Sequence, residues 1–304
     1  MDTARLPAIA REARVQIERM LTHAGSGHPG GSNSVIDILV ALYFGRLRFD
    51  PKRPDWPDRD RVVLSKGHAV PALYAVLSRA GYFPEEQLIT LRKLGSPLQG
   101  HPDRTALPGI EAATGSLGEG LSISLGMALG LKLAGSKARV YCILGDGETQ
   151  EGQIWEAAMS APKLGQPDHA LDNLVVILDY NKIQLDNFVK KVLDIEPVTA
   201  KWQAFGWPVI EIDGHDLAQI TKALDQAEAT PGGPTFIVAH TVKGKGVSFM
   251  ENNPEWHGKS PKPEEAVAAI REILGVAEVA WPDYLATDTA TRAIVDELRA
   301  LGKK

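Results

Sequence analysis

Asp146 and Asn181 are the residues of this chain best placed to do chemistry. Asp146 lies in the turn Gly145-Asp146-Gly147-Glu148, and Asn181 is followed closely by Ile183. An apolar run at 139–144 leads into the aspartate, and a second at 174–180 leads into the asparagine. If these runs are neighbouring buried strands, a carboxylate, a side-chain amide oxygen and the Ile183 carbonyl meet at adjacent strand ends. Such an all-oxygen set suits a hard divalent cation, Mg²⁺ or in its place Ca²⁺ or Mn²⁺. A glycine turn and a helix N-terminus beside it favour a bound diphosphate, because backbone N–H groups face the anion there. Gly147 lets the backbone approach a phosphate with no side chain in the way. The plainer alternative is that Asp146 merely caps the following helix, but a second oxygen donor at the next strand end speaks for the cation.

The elements that must hold these groups follow from apolar spacing. Residues 3–24 and 34–45 predict helices, 49–61 a proline-rich connection, and 61–65 a short buried strand followed by a helix over 71–80. A helix is expected over 84–94, with Pro84-Glu85-Glu86 supplying good first-turn chemistry. Residues 114–135 are a glycine-rich turn running into a long helix of small residues. Strand 139–144, helix 153–160, strand 174–180, strand 207–212, helix 217–229 and strand 235–240 then alternate. That pattern predicts an α/β fold, a parallel sheet with helices on both faces. The last forty residues predict two helices ending in a basic tail, and the whole of 1–304 is expected to form one domain.

Composition narrows the function. Of 304 residues, 44% are apolar and 23% charged, with a net charge of −5 and the signs interspersed. No basic footprint for nucleic acid or a membrane surface is present, and no apolar stretch reaches the roughly 18 residues a bilayer span requires. The one cysteine, Cys142, falls inside an apolar strand, which excludes an internal disulfide and fits a reducing compartment. The amphipathic N-terminal segment does not read as a signal peptide. A cytoplasmic protein is expected.

Four of the eight histidines stand beside glycine in turn-like contexts: SGHPGG (26–31), LSKGHA (64–69), GHP (100–102) and WHGKSP (256–261). Together with TGSLGEG (114–120), GDGETQEG (145–152), QAFGWPVIEIDGH (203–215) and TVKGKG (241–246), in this order, they make residues 10–265 closely resemble transketolase. The resemblance implies a thiamine-diphosphate-binding fold of the diphosphate-binding type, with thiamine diphosphate and a divalent metal held by Asp146, Asn181 and Ile183. It implies that His28 and His101 face sugar hydroxyls and the reacting carbon. His68 then lies near the diphosphate and the substrate, and His257 over cofactor and substrate oxygens. Gly115, Ser116 and Leu117 pass beneath the cofactor, with Gly147 at a phosphate and Lys243 close by. Imidazoles suit proton exchange with sugar hydroxyls near neutral pH. Glu151 and Glu156 are either ordinary acids at a helix N-terminus or members of a carboxylate cluster across a dimer interface. His215, in a DGH turn, is expected to be structural, and His23 and His169 carry no functional signal.

Two departures from the family pattern stand out. Gly30-Gly31 replaces a hydroxyl or thiol often found after the SGHP proline, so a side-chain bond to phosphate is lost there. The interval from Asp146 to Asn181 is longer than usual through 164–173, read as a surface insertion that leaves the ligands in place.

The resemblance also implies a missing half. In transketolases the glutamate that activates the cofactor lies in a pyrimidine-binding domain, which with a third domain follows the part represented here. The expectation is therefore an N-terminal subunit of a split transketolase, inactive until a C-terminal subunit supplies that domain, in an α2β2 heterotetramer. It would transfer a two-carbon ketol unit between sugars or sugar phosphates, as in the pentose phosphate pathway. The alternatives are the cofactor-binding subunit of another thiamine-dependent ketose-processing synthase, or a non-catalytic thiamine-diphosphate-binding protein. Neither nucleic acid nor membrane is an expected partner.

Overall fold

The computed structural model describes residues 3–185 and 187–303. Five strands form one parallel sheet: β1 (Arg61–Leu64), β2 (Val140–Gly145), β3 (Leu174–Tyr180), β4 (Val209–Asp213) and β5 (Thr235–His240), in the order β1-β2-β3-β5-β4. β2 and β3 are buried along their whole length, as a parallel strand covered on both faces must be.

Around them lie α1 (Leu6–Ala24), α2 (Pro29–Gly45), α3 (Val70–Arg79), α4 (Glu119–Leu133), α5 (Gly152–Ser160), α6 (Val189–Val192), α7 (Val198–Ala204), α8 (Leu217–Ala229), α9 (Pro263–Ile273), α10 (Trp281–Thr287) and α11 (Thr289–Leu301). Side chains alternate across the sheet. Tyr141, Ile143, Val175, Ile177 and Ile237 pack with α1, α2, α3 and α8. Val140, Cys142, Leu144, Val176, Leu178, Phe236 and Val238 pack on the other face with α4, α5 and α7. A third cluster joins α9, α10 and α11 to Val15, Met250 and Trp256. The expected parallel sheet with helices on both faces is therefore what the chain forms. Cys142 is buried and free, and among the described residues no helix is long and apolar enough to cross a membrane.

Several boundaries differ from the sequence-based expectation. α2 begins at Pro29 rather than at 34. The proline presets the first helical turn, while 30–34 hold no apolar side chains for a periodicity argument to register. The expected helix over 84–94 is only a tight 3₁₀ segment, Glu85–Thr90. Leu88 and Leu91 are buried there but Leu94 is fully exposed, so no continuous apolar face sustains a longer helix. The C-terminal region forms three helices rather than two, because Asp288 caps α11 through the Thr291 N–H and separates it from α10. Lys304, the last residue of the expected basic tail, lies outside the described residues. The 164–173 insertion is a turn-rich connection anchored by the buried Leu171, and Asn181 directly follows β3.

Candidate active site

Because the strands are parallel, their carboxyl ends gather at one edge, where α/β proteins commonly bind ligands. Ser65-Lys66 follows β1, Asp146 follows β2, Asn181 follows β3 and Thr241-Val242-Lys243 follows β5. With the N-terminus of α2 and the turn at 115–118 they surround a cavity of about 290 Å³.

The oxygen donors converge at its floor. The Asp146 carboxylate is 2% exposed and accepts hydrogen bonds from the Gly147 N–H at 2.8 Å and from the Lys182 N–H. The second contact links the β2 turn to the segment that carries Asn181 and Ile183. Asn181 donates through Nδ2 to Ser34 Oγ at 3.3 Å and Asp179 at 3.4 Å, while its Oδ1 accepts from the Ile183 N–H at 3.1 Å. The Ile183 carbonyl accepts from Lys243 Nζ at 2.9 Å. A protein cation thus already occupies one of the oxygens in question, which supports the fit of this set to a positive ion. No group of three His, Cys, Asp or Glu side chains among the described residues could hold a metal. A set with only one carboxylate would not form such a group, and a mixed oxygen shell is what Mg²⁺ accepts. Burial raises the Asp146 pKa and lowers that of Lys243, and their mutual attraction opposes both shifts.

Three imidazoles stand over this floor. The ring centroids of His28 and His68 are 5.0 Å apart, those of His68 and His257 5.1 Å, and those of His28 and His257 5.4 Å. Burial, followed by nearby positive groups, pushes His28 down to about 4 and His257 down to about 3, and holds His68 well below its ordinary value. All three rings are therefore neutral near pH 7. His257 Nδ1 accepts from Lys243 Nζ at 2.7 Å, which leaves the His257 proton on Nε2. His28 Nδ1 is buried without a partner, an orphan that a ligand hydroxyl can satisfy.

Two positions from the sequence reading stand apart. His101 is exposed and sits at the rim, close enough to Gly115 that a Cβ there would lie 2.8 Å from the imidazole. Ser116 is exposed and does not line the cavity, unlike Gly115 and Leu117. The glycine substitution at position 30 has a packing cause: a Cβ would lie 2.8 Å from the Trp256 carbonyl and 3.0 Å from the Lys243 side chain. Glu151 and Glu156 are exposed, and neither forms an ion pair among the described residues. His23 contacts Glu297 at 2.5 Å, well away from the cavity.

Sequence reasoning missed the groups that support the floor. Lys66 is buried and forms an ion pair with the fully buried Asp179. Lys66 also donates to the Gly31 carbonyl at 3.1 Å, and Asp179 accepts from Ser34 at 2.5 Å and from Thr241. Glu148 accepts from the Gly145 N–H at 2.9 Å, the Gly118 N–H at 2.8 Å and Ser65, clamping the two glycine turns together. A lysine inside SKGHA and a single aspartate inside the apolar run LVVILDY were the available signals.

Comparison with known proteins agrees with this geometry. The family described as "Transketolase, thiamine diphosphate binding domain" matches residues 8–293. A 6-deoxy-6-sulfo-D-fructose transketolase subunit from Clostridium sp. (strain MSTE9) is 46% identical over 249 residues, covering 82% of this chain and 89% of the relative. One of the two subunits of an apulose-4-phosphate transketolase from Phocaeicola vulgatus is 39% identical, covering 90% of this chain and 95% of the relative. The solved transketolase of Campylobacter jejuni superposes with a TM-score of 0.83 at 33% identity, over 100% of this chain and 48% of that one. The chain thus spans nearly the full length of the subunit relatives and about half the length of the solved transketolases it matches.

Proposed function

This chain belongs to the transketolase family, and on that premise we propose that it is the diphosphate-binding subunit of a transketolase divided between two polypeptides. The observation that carries the reading is the union, in one cavity, of an oxygen-donor floor with three neutral imidazoles above it. Bare cofactor binding has no need of the imidazoles, so a catalytic role is favoured over a merely cofactor-binding one.

Asp146, Asn181 and the Ile183 carbonyl would hold Mg²⁺, Ca²⁺ or Mn²⁺, with diphosphate oxygens completing the shell. The Gly147 backbone, His68 and Lys243 would face the diphosphate, with Gly115, Ser116 and Leu117 beneath the rest of the cofactor. Thiamine diphosphate, when bound, supplies the nucleophilic carbon and electron sink for breaking and remaking a carbon–carbon bond of a ketose. The protein's part is position and proton transfer. His28 would accept a proton from a sugar hydroxyl through its unpartnered Nδ1, His257 would donate through Nε2, and His101 at the rim would meet the incoming aldose. The result is transfer of a two-carbon ketol unit from a ketose, or ketose phosphate, to an aldose.

Among the relatives named as subunits, one is a 6-deoxy-6-sulfo-D-fructose transketolase and others are apulose-4-phosphate transketolases. That supports a partner subunit here, carrying a pyrimidine-binding domain and the activating glutamate, in an α2β2 assembly in the cytoplasm. This chain would contribute a single diphosphate-binding domain, and carbohydrate metabolism of the pentose phosphate type is the setting that fits. α4 offers a face for the partner: Gly126, Gly130 and Leu133 are exposed on an otherwise apolar helix, with Met159 of α5 also exposed. Exposed apolar surface of this kind marks interaction sites. Glu151 and Glu156 lie at the same end of α5 and would enter that interface. The test is calorimetric titration of the chain with thiamine diphosphate in the presence and absence of Mg²⁺. Metal-dependent binding supports the assignment, and absence of binding both to the chain and to its complex with the neighbouring gene product rejects it.

A further inference from the structure

The loop at 241–246, which delivers Lys243 to the cofactor cavity, is also held from behind by side chains that do not line that cavity. The Val242 N–H donates to His215 Nε2 at 2.8 Å. A ring nitrogen that accepts carries no proton, so the neutral His215 ring has its proton on Nδ1. Nδ1 faces Asp37 Oδ2 at 2.7 Å. Asp37 in turn takes Arg14 Nη1 at 3.1 Å and Nη2 at 2.6 Å, and Nη2 also reaches the Asn33 carbonyl at 3.2 Å. Arg14 and Asp37 are both buried. Burial by itself would raise the Asp37 pKa, but hydrogen bonds from His215 and Arg14 outweigh it and hold the group as a carboxylate. The chain of contacts links α1, α2, the β4–α8 turn and the loop after β5.

We infer that Arg14, Asp37 and His215 form a positioning relay that fixes the backbone at Val242 and so aims the Lys243 ammonium at the metal-binding carbonyl of Ile183 and at His257. His215 is the positioning residue, and the inference rests on the reading of Lys243 as a cofactor-binding group. A simple pin between α1 and α2 would be complete with Arg14 and Asp37. His215 adds a bond to a backbone N–H one residue from Lys243, and its tautomer is the one that this bond requires. The relay faces a separate cavity of about 820 Å³, so its members lie outside the cofactor site. Lys243 is itself 2% exposed, and its terminal nitrogen makes two directed contacts, to Ile183 and His257. A shift of the backbone by a fraction of an ångström would spoil both. The arrangement parallels the outer partners of metal ligands, whose loss typically costs 10–100-fold in affinity.

The test uses the full chain with His215→Ala and His215→Gln. Glutamine carries an acceptor and a donor on one side chain, so it can take the Val242 N–H and still give a hydrogen bond to Asp37; alanine can do neither. Amide hydrogen exchange of the 241–246 segment, followed by mass spectrometry, should accelerate about ten-fold or more in the alanine variant and return toward wild type in the glutamine variant. Affinity for thiamine diphosphate with Mg²⁺ should fall roughly 10–100-fold in the first and recover in the second. Unchanged exchange in His215→Ala overturns the relay. Faster exchange with unchanged affinity overturns its link to Lys243, and failure of glutamine to rescue overturns the donor–acceptor logic. If wild type itself fails to bind the cofactor, the functional reading falls while the exchange data still decide whether the relay holds the loop.

Discussion

The Lys243 ammonium donates to the Ile183 carbonyl at 2.9 Å, so a divalent cation that takes this oxygen must displace a resident positive charge. Lys243→Met should therefore bind Mn²⁺ alone more tightly, on the order of ten-fold, the worth of one partly screened like charge a few ångströms away. The same variant should bind thiamine diphosphate more weakly, since it removes a cation beside the diphosphate. Titration of Mn²⁺ followed by paramagnetic resonance, with cofactor binding measured separately, checks both directions. Weaker Mn²⁺ binding in the variant would show that Lys243 supports the metal rather than competing with it.

Asp146 supplies the carboxylate of the proposed cation site. Asp146→Ala should leave a folded chain whose affinity for thiamine diphosphate falls roughly 10²-fold or more, because the buried diphosphate loses the ion that compensates it. Calorimetry with Mg²⁺ present measures this, and equal affinity in the mutant would remove Asp146 from the site.

The imidazoles are expected to matter for turnover more than for folding. His28→Ala, His101→Ala and His257→Ala should each lower ketol transfer by roughly 10²–10⁴-fold in the reconstituted enzyme, with little change in melting temperature. Unfolding of all three variants would mark the histidines as packing groups.

Glu18 offers a test of stability away from the site. Its carboxyl is fully buried on α1, accepts from Asn33 Nδ2 at 2.7 Å, and is pushed up to about 7 by burial. Because the folded value lies above the unfolded 4.5, the folded state holds the extra proton between those values and loses stability as pH rises through the window. Glu18 Oε2 and Asn33 Oδ1 are both buried without partners, and a glutamine amide could fill that gap. Glu18→Gln should thus be more stable than wild type at pH 8, by about 3 kcal/mol at most, with the difference falling to about 1 kcal/mol at pH 5. Urea unfolding at the two pH values measures it, and a difference independent of pH would mean that Glu18 is not protonated in the fold.

Alone, the chain should not turn over. It should gain activity and assemble as two copies with two of its partner when the neighbouring gene product is added. Native mass spectrometry and a ketose–aldose assay, each with and without that product, test both points. Full ketol transfer by this polypeptide alone would refute the division of the enzyme.

The sequence by itself determined the parallel sheet and the positions of Asp146, Asn181 and Lys243 after its strands. Buried runs of apolar residues ended by glycine, asparagine or a polar turn are local signals, and burial on both faces leaves a parallel arrangement as the natural outcome. It also pointed to the glycine-flanked histidines, although their shared cavity became visible only in the fold. The tertiary structure alone decided that His28, His68 and His257 cluster while His101 stays at the rim, and that a 3₁₀ segment replaces the helix expected at 84–94. It also decided that Lys66 meets Asp179, 113 residues away, and that His215, read from its turn as structural, reaches Val242 and Asp37. Such contacts depend on the strand order β1-β2-β3-β5-β4 and its register. Periodicity along one segment records which face of that segment is buried, but carries no record of which distant polar group will meet it there.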